Sequence, residues 1–486
     1  MPLTQRLSLR DVLVERARQD PDRLAYQYGE EQLTFGDLAA RAAERAAALA
    51  QSGIKQGDRI ALVMTPGMDV IEMFWATQLV GAAPCIFNPS IPHHALKSRV
   101  AVIAPHLVVT DEIAVDMAQP PISVTDPEIS SDDVAYFQLT SGTSGNPRAA
   151  VIHQRHVLAY LDARDNDRDL SRDDVLVNWM PMWHDFGLVA FVIAATYFGA
   201  SCYMLEPTTA ALPDWLATIG AVGGTQTGGP DFAYKLACRL VDPGRVDLSS
   251  LRIAWTGAEP VRWPTIQQFE DRFDIPNVMM PAYGLAEATL GVSGHLPGDN
   301  GVVDARGNVS CGWPFPGMEV RAGTSVDSPS EILVRSDWVF AGYFQAIDET
   351  SEKLRNGWLH TGDTGYLDKE GRLFVLGRRD TMIKRAGSVI APRELEEAAQ
   401  TVTGVRIAAA ISTERQGRDE LIVVVETREL ESAESIIELV SSAIHAAMGF
   451  SPHRVLVVDP HSIPRSGNGK IRYGLLKSTI NEGTFG

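Results

Sequence analysis

The first half of the chain alternates short apolar runs with amphipathic stretches. Ile60–Met64 is a continuous apolar run with the length of a buried strand, and Asp69–Leu79 after it has helical periodicity and stops at Gly81. Thr34–Asp37 has the pattern of a capping box, and the Ala-rich helix that it opens is predicted to end near Gly53. Strands and helices that alternate at this spacing predict an α/β fold, with mostly parallel sheets covered by helices.

One uncharged stretch, Leu188–Leu205, has roughly the length at which a membrane-spanning helix becomes a candidate. Gly199–Ser201 interrupts it at a point where a helix would stop, and Cys202–Leu205 has the character of a buried strand. We therefore predict a core helix followed by a strand, and no membrane insertion.

After Gly377 the pattern changes to that of a smaller α+β unit. Three predicted strands, Val405–Ile411, Leu421–Val425 and Arg454–Val458, surround one predicted helix, Ser432–Met448. From Arg378 onward 14 basic and 14 acidic residues balance, so the whole net charge of −18 lies before it. The sequence predicts a large N-terminal domain over residues 1–377 and a small mobile domain over residues 378–486.

Composition narrows the function. A net charge of −18 argues against DNA or RNA as a partner, because a polyanion would be repelled. The four cysteines are far apart and form no Cys-x-x-Cys pair, which favours neither a disulfide framework nor a zinc site. Met1–Arg6 lacks the apolar core of a signal peptide. We expect a cytoplasmic protein.

Thr140–Arg148 combines glycines, hydroxyls and one fixed positive charge directly after an apolar strand, Ala135–Leu139. Glycines let backbone N–H groups approach an anion, and hydroxyls and a guanidinium add donors. The residues that supply these groups are Thr140, Ser141, Gly142, Thr143, Ser144, Gly145 and Arg148. The pattern is typical of a phosphate-binding loop, although on composition alone a flexible Ser/Gly turn is an equal alternative.

Six segments in a fixed order resemble the adenylate-forming enzymes, a superfamily that includes acyl-CoA synthetases, peptide-synthetase adenylation domains and fatty acyl-AMP ligases. The segments are Thr140–Arg148, Pro181–Gly187, Thr256–Pro260, Tyr283–Glu287, Thr361–Asp363 with Gly377 and Arg378, and Arg465–Lys470. The resemblance covers nearly the whole chain. It implies that ATP and a carboxylic acid form an acyl-adenylate and pyrophosphate, and that a thiol then takes the acyl group.

The resemblance also assigns roles to single residues. It implies that the Thr140–Arg148 loop holds the β- and γ-phosphates, with Arg148 standing where the family usually has Lys. Glu287, with Thr140, is implied to hold Mg²⁺, a hard cation that prefers oxygen ligands. Lys470 is implied to reach the α-phosphate during adenylation, and its ammonium suits developing negative charge.

The remaining implied roles concern the nucleoside and the passage to the thiol. Tyr283 and Gly284 are implied to lie against the adenine, whose ring is flanked by the turn that holds Gly257, Ala258 and Glu259. Asp363 is implied to bind the ribose hydroxyls, with reinforcement from Arg378. His184 resembles the histidine that separates the acyl pocket from the thiol entrance, and Asp380 the hinge of the small domain.

Two stretches, Gly228–Tyr234 and Leu251–Arg262, resemble the fatty acyl-AMP ligase branch in particular. That branch passes its acyl group to the phosphopantetheine of an acyl carrier protein. However, Val292–Cys311 looks short for the branch, and Lys384–Glu396 resembles the CoA-ligase version of its region, so free CoA stays an alternative acceptor. A luciferase-like oxidase and a catalytically degenerate binding module are further alternatives.

If an acidic carrier protein is the partner, the neutral small domain is the expected docking face. Five basic residues lie close together in its sequence: Arg378, Arg379, Lys384, Arg385 and Arg393.

Overall fold

The computed structural model describes residues 8–116, 127–140, 147–167, 170–299, 301–385, 388–415, 418–428, 433–465 and 471–482. Within these ranges the strands are β1 (Leu24–Tyr28), β2 (Glu31–Thr34), β3 (Arg59–Val63), β4 (Ala83–Ile86), β5 (Leu107–Thr110), β6 (Val134–Thr140), β7 (Arg148–His153), β8 (Val175–Asn178), β9 (Ser201–Met204), β10 (Gln226–Gly229), β11 (Ile253–Thr256), β12 (Met279–Gly284), β13 (Gly291–Gly294), β14 (Trp313–Pro314), β15 (Glu319–Arg321), β16 (Ser330–Arg335), β17 (Leu354–Arg355), β18 (Trp358–Leu367), β19 (Leu373–Arg378), β20 (Ile383–Arg385), β21 (Ser388–Ile390), β22 (Val405–Arg415), β23 (Arg418–Thr427) and β24 (Arg454–Val458).

The α-helices of the same ranges are α1 (Leu9–Gln19), α2 (Phe35–Gln51), α3 (Met68–Val80), α4 (His93–Ala101), α5 (Asp111–Asp116), α6 (Gln154–Asp167), α7 (Asp185–Gly187), α8 (Ala194–Phe198), α9 (Leu212–Val222), α10 (Asp231–Leu240), α11 (Trp263–Phe273), α12 (Ile347–Lys353), α13 (Pro392–Gln400), α14 (Ala433–Met448) and α15 (Tyr473–Asn481). A π-helical turn, Leu188–Ile193, precedes α8, and a 3₁₀ turn, Ala286–Ala288, follows β12.

The largest sheet has nine strands in the order β14-β13-β12-β11-β10-β8-β9-β1-β2. Its six central strands, from β12 to β1, pair in parallel, and the outer strands pair antiparallel. Parallel neighbours need a crossover connection, which α10 provides between β10 and β11 and α11 between β11 and β12. A second parallel sheet has the order β4-β3-β5. The predicted α/β fold with helix-covered parallel sheets is confirmed.

An antiparallel sheet that the sequence analysis did not predict follows the large parallel sheet. β15, β16, β18 and β17 pair in that order, and β19 pairs with β18. Its strands place the Thr361–Asp363 segment opposite Gly377 and Arg378, because Asp363 and Arg378 are register partners.

A small α+β unit follows, with the sheet order β22-β23-β24. Its strands alternate strictly between two apolar layers. Ala408 and Ala410 pack with Leu395 in a cluster that includes α13 and α14, whereas Ala409 and Ile411 belong to a cluster that includes α15. Because successive side chains of a strand point to opposite faces, one short sheet serves both layers. A large N-terminal and a small C-terminal domain are thus present, as predicted; a boundary at residue 378 stays a prediction.

The uncharged stretch Leu188–Leu205 forms helical structure followed by a strand, as predicted. The π-helical turn and α8 end at Gly199, which adopts the left-handed conformation (φ 78°), and β9 follows. Among the described residues, no helix is long and apolar enough to cross a membrane. The predicted capping box is also confirmed, because Thr34 Oγ1 accepts the N–H of Asp37 and the Asp37 carboxylate accepts the N–H of Thr34, each at 3.1 Å.

One carboxylate is buried between the helices of the small unit. Glu396 on α13 is 4% exposed, and its Oε1 accepts the N–H of Ala410 at 3.0 Å and the hydroxyl of Tyr473 at 2.8 Å. Burial raises the pKa of Glu396 to about 7, from an ordinary value of 4.5. The contact ties the start of α15 to α13.

This raised pKa predicts a pH-dependent stability. Because folding raises the pKa of Glu396, its contribution is most favourable at low pH and is lost as the pH rises through about 7. Glu396→Gln keeps an oxygen acceptor for both donors but does not ionise. Between pH 5 and pH 8, we expect the free energy of unfolding of wild type to fall relative to the variant by up to about 3 kcal/mol. Urea unfolding at both pH values checks this, and a constant difference would contradict it.

Candidate active site

The base of the predicted phosphate loop is the end of a two-stranded hairpin. Thr140 closes β6, Arg148 opens β7, and the two residues are register partners. Ser141, Gly142, Thr143, Ser144 and Gly145 lie outside the described residues. The hairpin fixes where the chain leaves and re-enters the loop.

Arg148 faces the antiparallel part of the structure. Its guanidinium carbon lies 5.5 Å from the ring centroid of Tyr343, and its Nε lies 3.9 Å from Oε1 of Glu349 on α12. The hydroxyl of Tyr343 donates in turn to the carboxylate of Glu287. The cation at the loop base and the predicted metal ligand are therefore joined through one tyrosine.

Glu287 lies in the 3₁₀ turn after β12, and the turn depends on Gly284. A Cβ at Gly284 would lie 1.8 Å from the carbonyl oxygen of Leu290, because the chain doubles back there. The N–H of Leu285 donates to the same carbonyl at 2.8 Å, and the N–H of Phe340 donates to the carbonyl of Glu287 at 2.8 Å. Backbone contacts on both sides thus hold Glu287 in place.

Tyr283, Asp363 and Arg378 form a second connected group. The hydroxyl of Tyr283 donates to Asp363 Oδ2 at 2.6 Å, and Arg378 donates to Asp363 Oδ1 at 3.3 Å and to the carbonyl of Thr361 at 3.1 Å. Burial and the Asp363 carboxylate raise the pKa of Tyr283 well above its ordinary value, so the phenol stays a donor. Gly362 (φ 79°) leaves room for the guanidinium, since a Cβ would lie 2.8 Å from it.

Glu331 on β16 supports this loop, although sequence reasoning missed it. Its carboxylate accepts the N–H of Gly362 at 3.2 Å, a ring nitrogen of His360 at 3.2 Å and the guanidinium of Arg379 at 3.0 Å. The contacts hold the backbone beside Asp363. No local pattern reveals this role, because the partners lie about 30 to 50 residues away.

The turn after β11 has a strained residue. Ala258 has a positive φ of 63°, which a non-glycine residue rarely adopts. Gly257 before it approaches the carbonyl of Ala282, with a Cβ distance of 2.8 Å. Glu259 accepts the N–H of Phe232 at 2.8 Å. The turn is therefore fixed against β12, close to Tyr283 and Gly284.

His184 lies on another side of the hairpin. Its Nδ1 accepts the N–H of Phe186 at 3.1 Å and lies 2.6 Å from Asp185 Oδ1, and about one third of its side chain is exposed. The preceding residue is tied to β6, because Gln138 Nε2 donates to the carbonyl of Trp183 at 2.9 Å. A π-helical turn, a feature frequent at functional sites, follows after α7.

Lys470 lies outside the described residues, but both flanks of its segment are described. Arg465 and Ile471 form an isolated β-bridge, and the N–H of Arg472 donates to the carbonyl of Pro464 at 2.8 Å. Arg465 also lies 3.4 Å from the buried carboxylate of Glu426. The flanks are held side by side.

The basic docking face predicted on the small domain is partly wrong. Arg393 is only 7% exposed, and it donates to Asn308 and, at 3.3 Å, to the carbonyl of Val261. Arg385 lies over the ring of Phe450 at 4.3 Å. Sequence proximity placed Arg393 on the surface, whereas a helix face turned toward the large domain buries it.

A family model described as "AMP-binding enzyme" matches residues 13–344, about two thirds of the chain. The chain belongs to the AMP-binding enzyme family. The resemblance to adenylate-forming enzymes is confirmed, and the chain is an enzyme.

Relatives extend beyond the matched region. A putative ligase of Mycobacterium tuberculosis, Rv1013, is 28% identical over 90% of this chain and 93% of its own length. A medium-chain-fatty-acid–[acyl-carrier-protein] ligase of Moorena producens, JamA, is 29% identical over 78% of this chain and 72% of its own. A solved structure from a study of fatty acyl-adenylate ligases of E. coli and L. pneumophila superposes with a TM-score of 0.87 at 26% identity, covering 100% of this chain and 99% of that one.

The close approach at Gly284 predicts a loss of AMP binding in this AMP-binding enzyme. Gly284→Ala must open the turn between Tyr283 and Glu287, so we expect AMP affinity to fall about tenfold or more and stability by about 1–3 kcal/mol. Gly474→Ala is the matched control, because no atom lies within 4 Å of a Cβ there. Calorimetric AMP titration checks both variants. Unchanged affinity in Gly284→Ala would contradict the placement of the site.

Proposed function

We propose that this protein activates a fatty or related carboxylic acid as acyl-AMP, and transfers the acyl group to the phosphopantetheine thiol of an acyl carrier protein. In the first step a carboxylate oxygen attacks the α-phosphorus of ATP and pyrophosphate leaves. In the second step the thiol sulfur attacks the acyl carbon and AMP leaves. The observation that carries the proposal is the hydrogen-bonded group of Tyr283, Asp363 and Arg378 in a chain of the AMP-binding enzyme family.

The nucleoside end of the site suits a ribose. A carboxylate is an acceptor-only group, and Asp363 offers it to two neighbouring hydroxyls. Arg378 stabilises the charge of Asp363, and Tyr283 orients it with a 2.6 Å hydrogen bond. Beside Tyr283, the turn at Gly257, Ala258 and Glu259 would flank the adenine.

The phosphate end suits a polyanion with Mg²⁺. Glu287 provides a carboxylate and Thr140 a hydroxyl, and Mg²⁺ typically takes one or two carboxylates with substrate phosphates and water. Such an ion, when bound, would neutralise charge on the leaving pyrophosphate. Arg148 and residues 141–145 would contact the β- and γ-phosphates.

In-line displacement at phosphorus depends on positioning and charge neutralisation more than on covalent help. Lys470 would supply the cation for the reacting carboxylate and α-phosphate, on a segment whose flanks the β-bridge of Arg465 and Ile471 holds together. His184, which precedes α7 and the π-helical turn, would separate the acyl pocket from the thiol entrance.

Support for the fatty acid and the carrier protein comes from the relatives. JamA, named as a medium-chain-fatty-acid–[acyl-carrier-protein] ligase, shares 29% of aligned residues with this chain. The structural neighbour from the fatty acyl-adenylate ligase study aligns over the whole chain.

Acid-dependent pyrophosphate release tests the first step. With a panel of short-, medium- and long-chain acids, ATP and Mg²⁺, we expect release that depends on the acid. Lys470→Ala should lower the rate about 100-fold or more, because it removes charge stabilisation at the reacting phosphate. Lys477→Ala, on the exposed side of α15, should retain wild-type rates. Equal rates in wild type and Lys470→Ala would contradict the catalytic role assigned to Lys470.

The acceptor is tested separately. Wild type preloaded with acyl-adenylate is offered a phosphopantetheinylated acyl carrier protein or CoA at equal thiol concentration. We expect faster acyl transfer to the carrier protein, measured by mass spectrometry of both thioesters. Faster formation of acyl-CoA would replace the carrier protein with CoA as the acceptor while leaving the adenylation step intact.

A further inference from the structure

A half-buried lysine, Lys353, lies inside the nucleotide site and has no role among the segments that resemble the family. It is the last residue of α12 and precedes β17. Its Nζ donates to the carbonyl of His360 at 3.1 Å and to the carbonyl of Thr361 at 2.9 Å. Among the described residues two donors of the ammonium are therefore used, which leaves a third for a ligand.

Charged groups surround Lys353. Burial lowers the pKa of Lys353, whereas the carboxylates of Glu287, Asp363 and Glu331 oppose that shift and Arg378 adds to it. Nevertheless, within the described part of the chain its ammonium forms no ion pair; both partners are neutral carbonyls. A partly desolvated cation without a counter-ion is costly, and a bound anion would offset that cost.

Two cations converge at this point. Lys353 and Arg378 donate to the same carbonyl oxygen, that of Thr361. Arg378 already has Asp363 as its partner, whereas Lys353 has none in the described residues. Of the two cations, Lys353 is therefore the one without a carboxylate partner in the described ranges.

The fold places α12 between the two ends of the candidate site. Thr350 on the same helix accepts the N–H of Tyr343 at 2.9 Å, and Glu349 lies 3.9 Å from Arg148. One side of the helix therefore contacts the base of the Thr140–Arg148 hairpin, and its end reaches the loop of Asp363. The helix lies along the direction from the phosphate end to the ribose end of the site.

We propose that Lys353 binds the α-phosphate of the nucleotide and of the acyl-adenylate. This inference rests on the proposed function. In a nucleotide the α-phosphate lies between the ribose, which Asp363 would bind, and the β- and γ-phosphates beside Glu287. Lys353 is near both carboxylates, and its carbonyl partner Thr361 is only two residues from Asp363, which favours the ribose-proximal phosphate over the distal ones.

Comparison of AMP with adenosine isolates the phosphate contact. In Lys353→Met, we expect AMP affinity to fall about 10- to 100-fold, the scale of a lost charge-assisted hydrogen bond. Adenosine affinity should stay within about twofold, because adenosine has no phosphate. Lys353→Arg should retain part of the AMP affinity. Calorimetric titration of the full chain with AMP and with adenosine gives the affinities of wild type and both variants.

One further variant separates the charge of Lys353 from its hydrogen bonds to the two carbonyls, and a second is a surface control. Lys353→Gln can still donate to the carbonyls of His360 and Thr361 but carries no charge, so it should lose AMP affinity as Lys353→Met does. Lys369→Met removes a charge from an exposed turn and should change neither affinity. Melting temperatures of all variants verify folding.

The outcomes are distinguishable. An equal fall in AMP and adenosine affinity in both Lys353→Met and Lys353→Gln, or no fall in either ligand, would overturn the phosphate contact alone. Wild type that fails to bind AMP would overturn the proposed function and this inference together. A fall confined to AMP supports the assignment.

Discussion

The site depends on one hydrogen bond between two sheets of different kinds. Tyr283 ends a strand of the parallel sheet, Asp363 lies on the antiparallel sheet, and the 2.6 Å bond joins their side chains. A second link runs from the N–H of Phe340 to the carbonyl of Glu287. Neither sheet alone carries both the proposed ribose acceptor, Asp363, and the proposed metal ligand, Glu287. A charge-assisted bond of this kind contributes about 1.5–3 kcal/mol, enough to hold the two sheets in register.

The net charge of the whole chain does not describe the charges within the candidate site. The chain carries −18 overall, which would repel a polyphosphate at long range. At short range Arg378 pairs with Asp363 and Arg148 lies 3.9 Å from Glu349, whereas Lys353 forms no ion pair within the described residues. If ATP enters together with Mg²⁺, as proposed, the cation lowers the negative charge that must enter the site. Local geometry, not net charge, then decides what binds.

Local sequence patterns predicted many of the helices and strands and the segments that form the candidate site. The capping box at Thr34 and the stop at Gly81 depend on a few neighbouring residues, so they were predictable. Tyr343, Glu331 and Lys353 were missed because their partners are distant in sequence and are brought close only by the antiparallel sheet. The same reason explains the error at Arg393, whose burial depends on a contact between domains.

The central claim is that this site forms a reversible acyl-adenylate. Isotope exchange between labelled pyrophosphate and ATP measures that step without any acceptor thiol. The account predicts exchange that requires a carboxylic acid and falls about 100-fold in Asp363→Ala, which removes the ribose acceptor. Exchange without any acid, or exchange that is unchanged in Asp363→Ala, would contradict it.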